Sequence, residues 1–374
     1  MKEVAFDKLQ ALLDNVKQKY SVPFCRCRII KEGKIIYDHA AGDNEQGKDL
    51  YYIYSMTKLI ISVATMRLVE QGKLSLEDEV SKYLPEADYI TVMSENGPVP
   101  AKEKMTVRHL VSMQGGYNYA RNIKELEDAI TKNPNASTME IATALLKHPL
   151  DYEPGQGFKY SLCYDVLGAV LENASGMHLG EYLRKEIFEP LKMTDTTFRV
   201  TQEMRKRFIA EYRYNPETRR IEQMIPETNV FIFTTEYESA GAGLISTFED
   251  YFKFVTTIMN GGVTKDGYQL ISRASLDEMT KRTMTDEMLN KYNRYKQWGC
   301  GYSFGVRVQL EKEMCPPGMD VGVFEITGAA GSYAHFDLKN ELAILYFQHT
   351  LGVAEVIENF HHEVRNLVYE ELQA

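Results

Sequence analysis

The sequence has no continuous apolar stretch of the kind that marks a signal peptide, and no run long enough to span a bilayer. It also lacks the long run of like charge that marks an interaction tail. Its 374 residues carry a formal net charge of −10, which argues against a general affinity for nucleic acid or for anionic membranes. We therefore predict a soluble, cytoplasmic protein with neither of these partners; its oligomeric state stays open.

Paired cysteines and metal-binding motifs are also missing. The cysteines are odd in number, and their spacings suggest neither a zinc site nor a disulfide framework. They are Cys25, Cys27, Cys163, Cys300 and Cys315. Reduced thiols in a cytosolic protein explain them best. His361 and His362 beside Glu363 are not a metal signature, because adjacent helical residues point in different directions. No glycine-rich phosphate loop occurs either. We expect no metal and no other cofactor.

The predicted secondary structure changes along the chain. Apolar residues at helical spacing predict a first helix over the opening twenty residues. Two apolar runs, CRCRII and KIIYDHAAG, meet at a turn around Gly33 and predict a β-hairpin. A further helix should run from Ser55 to Gln71 and end at Gly72. Mostly helical patterns fill residues 75–225. The later β-rich runs are NVFIFTT, YSFGVRVQL, VGVFEITG, YAHFDL and ELAILYFQHT, and a helix closes the chain.

This order of elements predicts an α+β protein. One antiparallel sheet should combine strands from both ends of the chain, flanked by the N- and C-terminal helices. We expect residues 1–75 and 230–374 to form this sheet domain, and residues 76–229 to form a mostly helical inserted domain. The two parts would make a single catalytic unit, with a ligand cleft between them.

The stretch Ser55-Met56-Thr57-Lys58 carries the most specific chemistry. A serine hydroxyl is a poor nucleophile until a neighbouring base removes its proton. Residues i and i+3 share one face of a helix, so Lys58 can place its amine beside the Ser55 oxygen. Backbone N–H groups at the start of the helix favour an oxyanion nearby. The same four residues are also compatible with an ordinary helix start, because serine is a common N-cap residue.

The surrounding motifs favour the catalytic interpretation. The segment YSMTKLIISVATMRLVEQGKLSLEDEVSKYLPE resembles the nucleophile region of the class C β-lactamase-like serine hydrolases, in the β-lactamase and penicillin-binding-protein superfamily. The resemblance continues in order through MTVRHLVSMQGG, YEPGQGFKYSLCYDVLGAVLENASG, IFEPLKMTDTTF, GAGLISTFEDYFKFVTTIMNGG and ITGAAGSYAHFDLKNELAILYF. It spans about residues 50–350 and implies the β-lactamase-like fold.

The resemblance also implies roles for individual residues. Ser55 matches the nucleophile, Lys58 its partner amine, and Tyr160 the tyrosine that shares the proton transfer. The backbone N–H groups of Ser55 and Ala329 match the oxyanion hole. Other positions match substrate-binding parts of the family site. They are Leu162, Ile326, Thr327 and Gly328.

Two departures from the family pattern bear on the substrate. Many members have asparagine where this chain has Leu162, and lysine or histidine where it has Ile326. Asparagine can bind a substrate amide, and a cation can hold a substrate carboxylate, but leucine and isoleucine can do neither. The sequence Tyr160-Ser161-Leu162, with DVLG close behind it, resembles the esterase branch of the family. We therefore expect neutral small-molecule esters with short or medium acyl chains.

Several assignments stay open at the sequence level. Tyr117 and Tyr119, after Gly115-Gly116, line the acyl pocket or simply pack in a loop. Asp165 compensates for the missing asparagine or, as we favour, makes a buried structural hydrogen bond. A Ser-His-Asp triad has no Gly-x-Ser-x-Gly elbow to support it, and His335 is its one candidate base.

We predict a serine hydrolase that cleaves carboxylic esters through an acyl-enzyme on Ser55. One alternative keeps the mechanism but acts as a β-lactamase or D-amino-acid peptidase. The other is a non-catalytic binding protein that retains the fold.

Overall fold

The computed structural model describes residues 4–44, 46–291 and 296–374. Its strands are short except in the hairpin near the N-terminus and in β13. They are β1 (Phe24–Lys31), β2 (Lys34–Gly42), β3 (Leu50–Tyr52), β4 (Thr91–Ser94), β5 (Gly97–Pro100), β6 (Glu211–Asn215), β7 (Arg220–Met224), β8 (Ile245–Thr247), β9 (Cys300–Tyr302), β10 (Arg307–Gln309), β11 (Phe324–Thr327), β12 (Tyr333–Asp337), β13 (Leu342–Gln348) and β14 (Thr350–Leu351).

The α-helices lie mainly between β3 and β9. They are α1 (Asp7–Asp14), α2 (Val16–Tyr20), α3 (Thr57–Glu70), α4 (Val107–Val111), α5 (Lys124–Lys132), α6 (Thr138–Lys147), α7 (Cys163–Ser175), α8 (Leu179–Leu183), α9 (Gln202–Arg205), α10 (Phe248–Met259), α11 (Arg273–Thr280), α12 (Asp286–Lys291) and α13 (His361–Gln373). Short 3-10 turns cover Tyr54–Met56, Val80–Lys82, Pro85–Tyr89 and Lys312–Met314, and π-helical turns cover Arg184–Phe188 and Val356–Phe360.

A seven-stranded antiparallel sheet forms the centre of the molecule, in the order β2-β1-β13-β12-β11-β10-β9. Strand β1 pairs with β13 over seven residues, from Cys25 opposite Gln348 to Lys31 opposite Leu342. The two ends of the chain therefore share one sheet, as the sequence predicts. The predicted β1–β2 hairpin is present and turns at Glu32-Gly33, where both residues have positive φ, as a type I′ turn requires.

The two faces of this sheet have separate cores. On one face the terminal helices bury Leu9, Leu13, Val364 and Val368 against Ile344 and other strand residues. The opposite face packs against α3, α10 and the helical region through a larger apolar cluster. The architecture is α+β, with one antiparallel sheet between two helical layers, as the sequence predicts.

Two local sequence expectations need correction. The opening helix is interrupted at Asn15, between α1 and α2. The apolar run NVFIFTT, at residues 229–235, forms turns and no strand. Here Asn229 accepts a hydrogen bond from the N–H of Phe231 (2.9 Å), which bends the backbone locally. Apolar content alone predicted a strand, but this segment instead contributes the Phe231 side chain to the wall of a cavity.

Helix α3 is buried on nearly every side and carries the predicted nucleophile segment at its start. The preceding turn, Tyr54–Met56, approaches the end of strand β11 closely. A Cβ atom added to Gly328 would lie 2.6 Å from the Ile53 carbonyl oxygen, so only glycine fits this contact. The start of α3 and the edge of β11 are thereby brought side by side.

Nowhere in the described ranges is there a helix both long and apolar enough to cross a membrane. All five cysteines are free thiols, and Cys25, Cys27, Cys163 and Cys300 are buried.

Candidate active site

A cavity of about 320 Å³ lies where α3, the helical region and the edge of β11 meet. Ser55, Tyr119 and Tyr160 line one side of it, and residues 326–329 line another. Most of the site that the sequence predicts is therefore collected in one concave space.

Ser55 occupies a strained turn just before α3. The preceding residue, Tyr54, has a φ of +48°, a left-handed conformation that is uncommon for a residue with a side chain. The Tyr54 hydroxyl donates to the Glu211 carboxylate, which also accepts the Thr228 N–H at 3.1 Å. This anchor holds the turn in the conformation that presents Ser55 to the cavity.

Lys58 lies fully buried beneath Ser55. Its Nζ is 3.2 Å from the Ser55 Oγ, as the one-turn spacing on a helix predicts. The same Nζ donates to the Gly241 carbonyl at 2.6 Å. A buried amine requires hydrogen-bond partners of this kind. The lysine is thus held in one place, with the serine oxygen within its reach.

Two stacked tyrosines cover the Lys58 amine. The rings of Tyr119 and Tyr160 lie 5.6 Å apart and almost parallel, at 7°. The Lys58 Nζ lies 4.7 Å from the Tyr160 ring centre and makes a long contact of 3.5 Å with the Tyr119 hydroxyl. Burial raises the pKa of Tyr119, with Lys58 acting in the opposite direction, so this phenol is neutral at pH 7. Sequence reasoning placed Tyr119 only as a pocket neighbour of Tyr117.

Asp165 holds the loop that contacts Lys58. Its buried carboxylate accepts hydrogen bonds from the Tyr237 hydroxyl and from the Ser239 Oγ, the latter at 2.8 Å. It is also hydrogen-bonded to the Gly241 backbone. Burial raises the pKa of Asp165, and these donors together with Lys58 act to lower it. The structural hydrogen-bond role that we favoured from the sequence is the one observed. The loop that Asp165 holds also carries the carbonyl group that accepts the hydrogen bond from Lys58.

The predicted oxyanion hole has two backbone N–H groups on the cavity wall. Within the described ranges, neither the Ser55 N–H nor the Ala329 N–H donates a hydrogen bond to a protein acceptor. The nearby Gly328 N–H is used internally, by the Ser332 carbonyl at 2.8 Å. Two backbone donors on one cavity wall suit an oxygen that gains negative charge.

Not every predicted binding residue lines the cavity. Ile326, Thr327 and Gly328 do, but Tyr117 and Leu162 do not. Leu162 is buried immediately before α7, and Tyr117 is buried in the neighbouring core. Sequence spacing located both next to the site without deciding which way their side chains point.

His335 lies away from the nucleophile. Its ring nitrogens contact the hydroxyls of Tyr333 and Tyr369, each at 3.2 Å, on the sheet face that the terminal helices cover. No ring atom of His335 lines the cavity. The histidine alternative for the base therefore has no geometric support. In the part of the chain that the structure describes, no group of three or more His, Cys, Asp or Glu side chains is placed to hold a metal ion.

Comparisons with known proteins identify a family model, curated relatives and solved structures that are similar to this chain. A family model described as Beta-lactamase matches residues 9–363. Protein Rv1367c of Mycobacterium tuberculosis is 28% identical over 335 residues, covering 86% of this chain and 82% of that protein. Lovastatin esterase of Penicillium rubens is 30% identical over 210 residues, covering 50% of this chain and 51% of the esterase. The structure titled EstCE1, a hydrolase with promiscuous acyltransferase activity, matches with a TM-score of 0.78 at 22% identity over 97% of both chains, a likeness in fold.

Proposed function

Since the chain belongs to the beta-lactamase family, we propose that it is a serine hydrolase that cleaves carboxylic esters through an acyl-enzyme on Ser55. The family match over residues 9–363 confirms the resemblance that the sequence motifs indicated. The observation that carries the proposal is the 3.2 Å contact between the Lys58 Nζ and the Ser55 Oγ at the wall of the cavity.

In the proposed reaction, the Ser55 Oγ attacks the ester carbonyl carbon while its single proton passes to the lone pair of the Lys58 amine, and Tyr160 shares in moving that proton onward. The N–H groups of Ser55 and Ala329 stabilise the resulting oxyanion. The proton then moves to the departing alcohol oxygen, and the C–O bond breaks to leave an acyl-enzyme. Water adds to this ester by the same route and releases the acid. An acceptor alcohol in place of water would give acyl transfer with the same residues.

Two side chains favour esters over amides. Leu162 stands where an asparagine would anchor a substrate amide, and Ile326 stands where a cation would serve β-lactams and acyl-D-amino acids. Cleavage of an ester requires fewer stabilising contacts from the site, because an alkoxide is a better leaving group than an amide nitrogen. The name of the Penicillium relative, lovastatin esterase, points to the same reaction class.

The test is hydrolysis of p-nitrophenyl acetate and butyrate by wild-type protein and by Ser55→Ala. We expect the variant to lose at least about a thousandfold in kcat/KM, because the nucleophile oxygen is gone. Ser62→Ala is the matched control. Ser62 is a buried serine on the same helix, hydrogen-bonded to the Tyr164 hydroxyl at 2.7 Å, and it lies outside the cavity wall.

Covalent labelling by a fluorophosphonate adds a readout that does not depend on the choice of ester. The label should appear on Ser55 in the wild type and in Ser62→Ala, and be absent from Ser55→Ala. Ester hydrolysis that survives in Ser55→Ala would contradict the proposal. Turnover of a chromogenic cephalosporin at a rate equal to that of the esters would contradict the preference for esters.

A further inference from the structure

A second tyrosine hydroxyl lies beside the Lys58 amine. The Lys58 Nζ is 3.2 Å from the Ser55 Oγ and 3.5 Å from the Tyr119 hydroxyl oxygen. Ser55 and Tyr119 both line the cavity. The sequence motifs assign proton transfer to Lys58 and Tyr160 and give Tyr119 no part in it. One nitrogen therefore lies within reach both of the nucleophile and of a hydroxyl group to which no function is assigned.

Neighbouring rings and a backbone hydrogen bond hold the Tyr119 side chain in place. Its ring stacks on that of Tyr160, and the ring of Phe231 meets it almost at a right angle, at 82°, with the ring centres 5.6 Å apart. The carbonyl of the preceding residue, Asn118, accepts the Leu162 N–H at 3.2 Å, which ties the Tyr119 loop to the segment that carries Tyr160. The Tyr119 hydroxyl is therefore pre-organised at the amine.

The hydrogen-bonding groups of a neutral lysine amine determine what the Tyr119 hydroxyl can do. Such an amine has two N–H groups and one lone pair, and activation of Ser55 uses the lone pair. One N–H donates to the Gly241 carbonyl at 2.6 Å, and the other is left for the Tyr119 oxygen. In the described part of the chain, Lys58 is the one hydrogen-bond partner of this hydroxyl, so the phenolic proton is available to a ligand in the cavity.

The Tyr119 phenol carries its proton at neutral pH. Burial raises its pKa; Lys58 acts to lower the pKa, and Tyr160 and Asp165 act to raise it further. A phenol that is neutral at pH 7 serves as a proton donor rather than as a general base. This property suits the step of ester cleavage in which the departing alcohol oxygen needs a proton.

We propose that Tyr119 is a second catalytic tyrosine, whose hydroxyl donates a proton to the departing alcohol oxygen. This inference rests on the proposed esterase function and adds a residue to it. Attack moves the Ser55 proton to the lone pair of Lys58, which becomes an ammonium. When the C–O bond breaks, its electron pair stays on the alcohol oxygen, which takes the Tyr119 proton, while an ammonium proton passes to the Tyr119 oxygen. Lys58 and Tyr119 both end neutral, and no free phenolate forms.

Two esters with the same acyl group and different alcohols test this role. The p-nitrophenolate of p-nitrophenyl butyrate leaves without a proton, whereas the ethoxide of ethyl butyrate must be protonated as it leaves. The measured quantity is the ratio of kcat/KM for p-nitrophenyl butyrate to that for ethyl butyrate. Tyr119→Phe keeps the stacked ring and should lower kcat/KM about a hundredfold or more for the ethyl ester, but no more than about threefold for the p-nitrophenyl ester. A merely structural role would lower both values alike.

Two further variants assign the effect to the Tyr119 hydroxyl. Tyr164→Phe is the matched control, because the Tyr164 ring centre also lies near the Lys58 Nζ, at 5.8 Å, and its hydroxyl is bonded to Ser62 outside the cavity wall. Loss of that hydroxyl should leave the ratio unchanged. Tyr160→Phe separates the two stacked tyrosines. We expect both kcat/KM values to fall in Tyr160→Phe, with a smaller change in the ratio than in Tyr119→Phe.

A ratio that Tyr119→Phe leaves unchanged, or that Tyr160→Phe changes in its place, would overturn the inference while Ser55-dependent ester hydrolysis still stood. If no ester is cleaved, the proposed function fails, and labelling of Ser55 decides the inference separately. A p-nitrophenyl phosphonate and the matching phenyl phosphonate should then both label the wild type. Tyr119→Phe should slow the phenyl compound about tenfold or more relative to the p-nitrophenyl compound. Absence of labelling, or equal slowing of both compounds, would also overturn it.

Discussion

In the proposed mechanism, the chemistry of this site depends on the amine of Lys58. Side chains that the sequence places far apart hold it, because the Gly241 carbonyl binds it and Asp165 fixes Gly241. In many relatives an asparagine stands at the position of Leu162 and can hydrogen-bond the lysine. Here a carboxylate three residues later contacts the loop whose backbone carbonyl binds the lysine, so we expect Asp165 to act as a positioning residue.

Asp165→Asn tests this role. An amide has one acceptor oxygen, and it cannot satisfy the Tyr237, Ser239 and Gly241 donors together. We expect kcat for p-nitrophenyl butyrate to fall about tenfold to a hundredfold with little change in KM, because misplacing a reacting group mainly affects the transition state.

The control for this prediction is Glu172→Gln on the same helix. Glu172 holds the Leu179 N–H at 2.9 Å, and burial raises its pKa as it does that of Asp165. Its loss should lower the unfolding temperature but leave kcat unchanged. Equal effects of the two substitutions on kcat would show that Asp165 acts only through stability.

At the scale of elements, the site forms where the start of helix α3 lies against the end of strand β11. The turn Tyr54–Met56 and the end of β11 must approach within van der Waals distance, and this requires Gly328. Gly328→Ala should destabilise the fold by about 1–3 kcal/mol through overpacking. It should also lower kcat/KM by at least about tenfold, since the new methyl group pushes Ala329 away from Ser55.

Gly322→Ala is the matched control for that substitution. Gly322 lies just before the same strand, with a φ of +86°, and a Cβ there would meet no atom within 4 Å. Gly322→Ala should lower the free energy of unfolding through backbone strain, without a loss of kcat/KM. Thermal unfolding and ester hydrolysis of both variants distinguish the two effects, and normal activity in Gly328→Ala would contradict the prediction.

A second link between elements joins the nucleophile turn to β6. Burial raises the pKa of Glu211, which accepts from Tyr54, to about 7. A carboxyl group whose pKa is higher in the folded state than in the unfolded state contributes stability that is present below pH 4.5 and is lost as the pH rises through about 7. In Glu211→Gln this loss should disappear, so its unfolding free energy should fall less between pH 5 and pH 8 than that of the wild type.

Chemical denaturation at several pH values measures this difference. His349, 3.6 Å from Glu211, has a pKa lowered by burial to about 4. It is unchanged in sequence between the two proteins, so comparing the two slopes isolates Glu211. Parallel pH profiles for wild type and Glu211→Gln would contradict the assignment.

At the scale of the whole molecule, strands from both ends of the chain pair in one sheet, and the helical region packs against one face of that sheet. Pairing of β1 with β13 joins residues more than 300 positions apart. The sequence predicted this closure because short β-rich runs and amphipathic helices occur at both ends. It mispredicted residues 229–235, where apolar side chains serve the cavity and the backbone is turned by Asn229.

The sequence by itself determined the α+β fold, the family, and the proximity of Ser55 and Lys58. These follow from periodicity, from collinear motifs and from the three-residue spacing on a helix, all of which are local or ordered along the chain. Only the tertiary structure decided that Tyr119 covers the lysine, that Asp165 fixes its carbonyl partner, and that Glu211 anchors the turn before Ser55 through Tyr54. The physical reason is that these contacts join residues from separate elements, and the direction of a side chain across a cavity is set by packing, which no local pattern records.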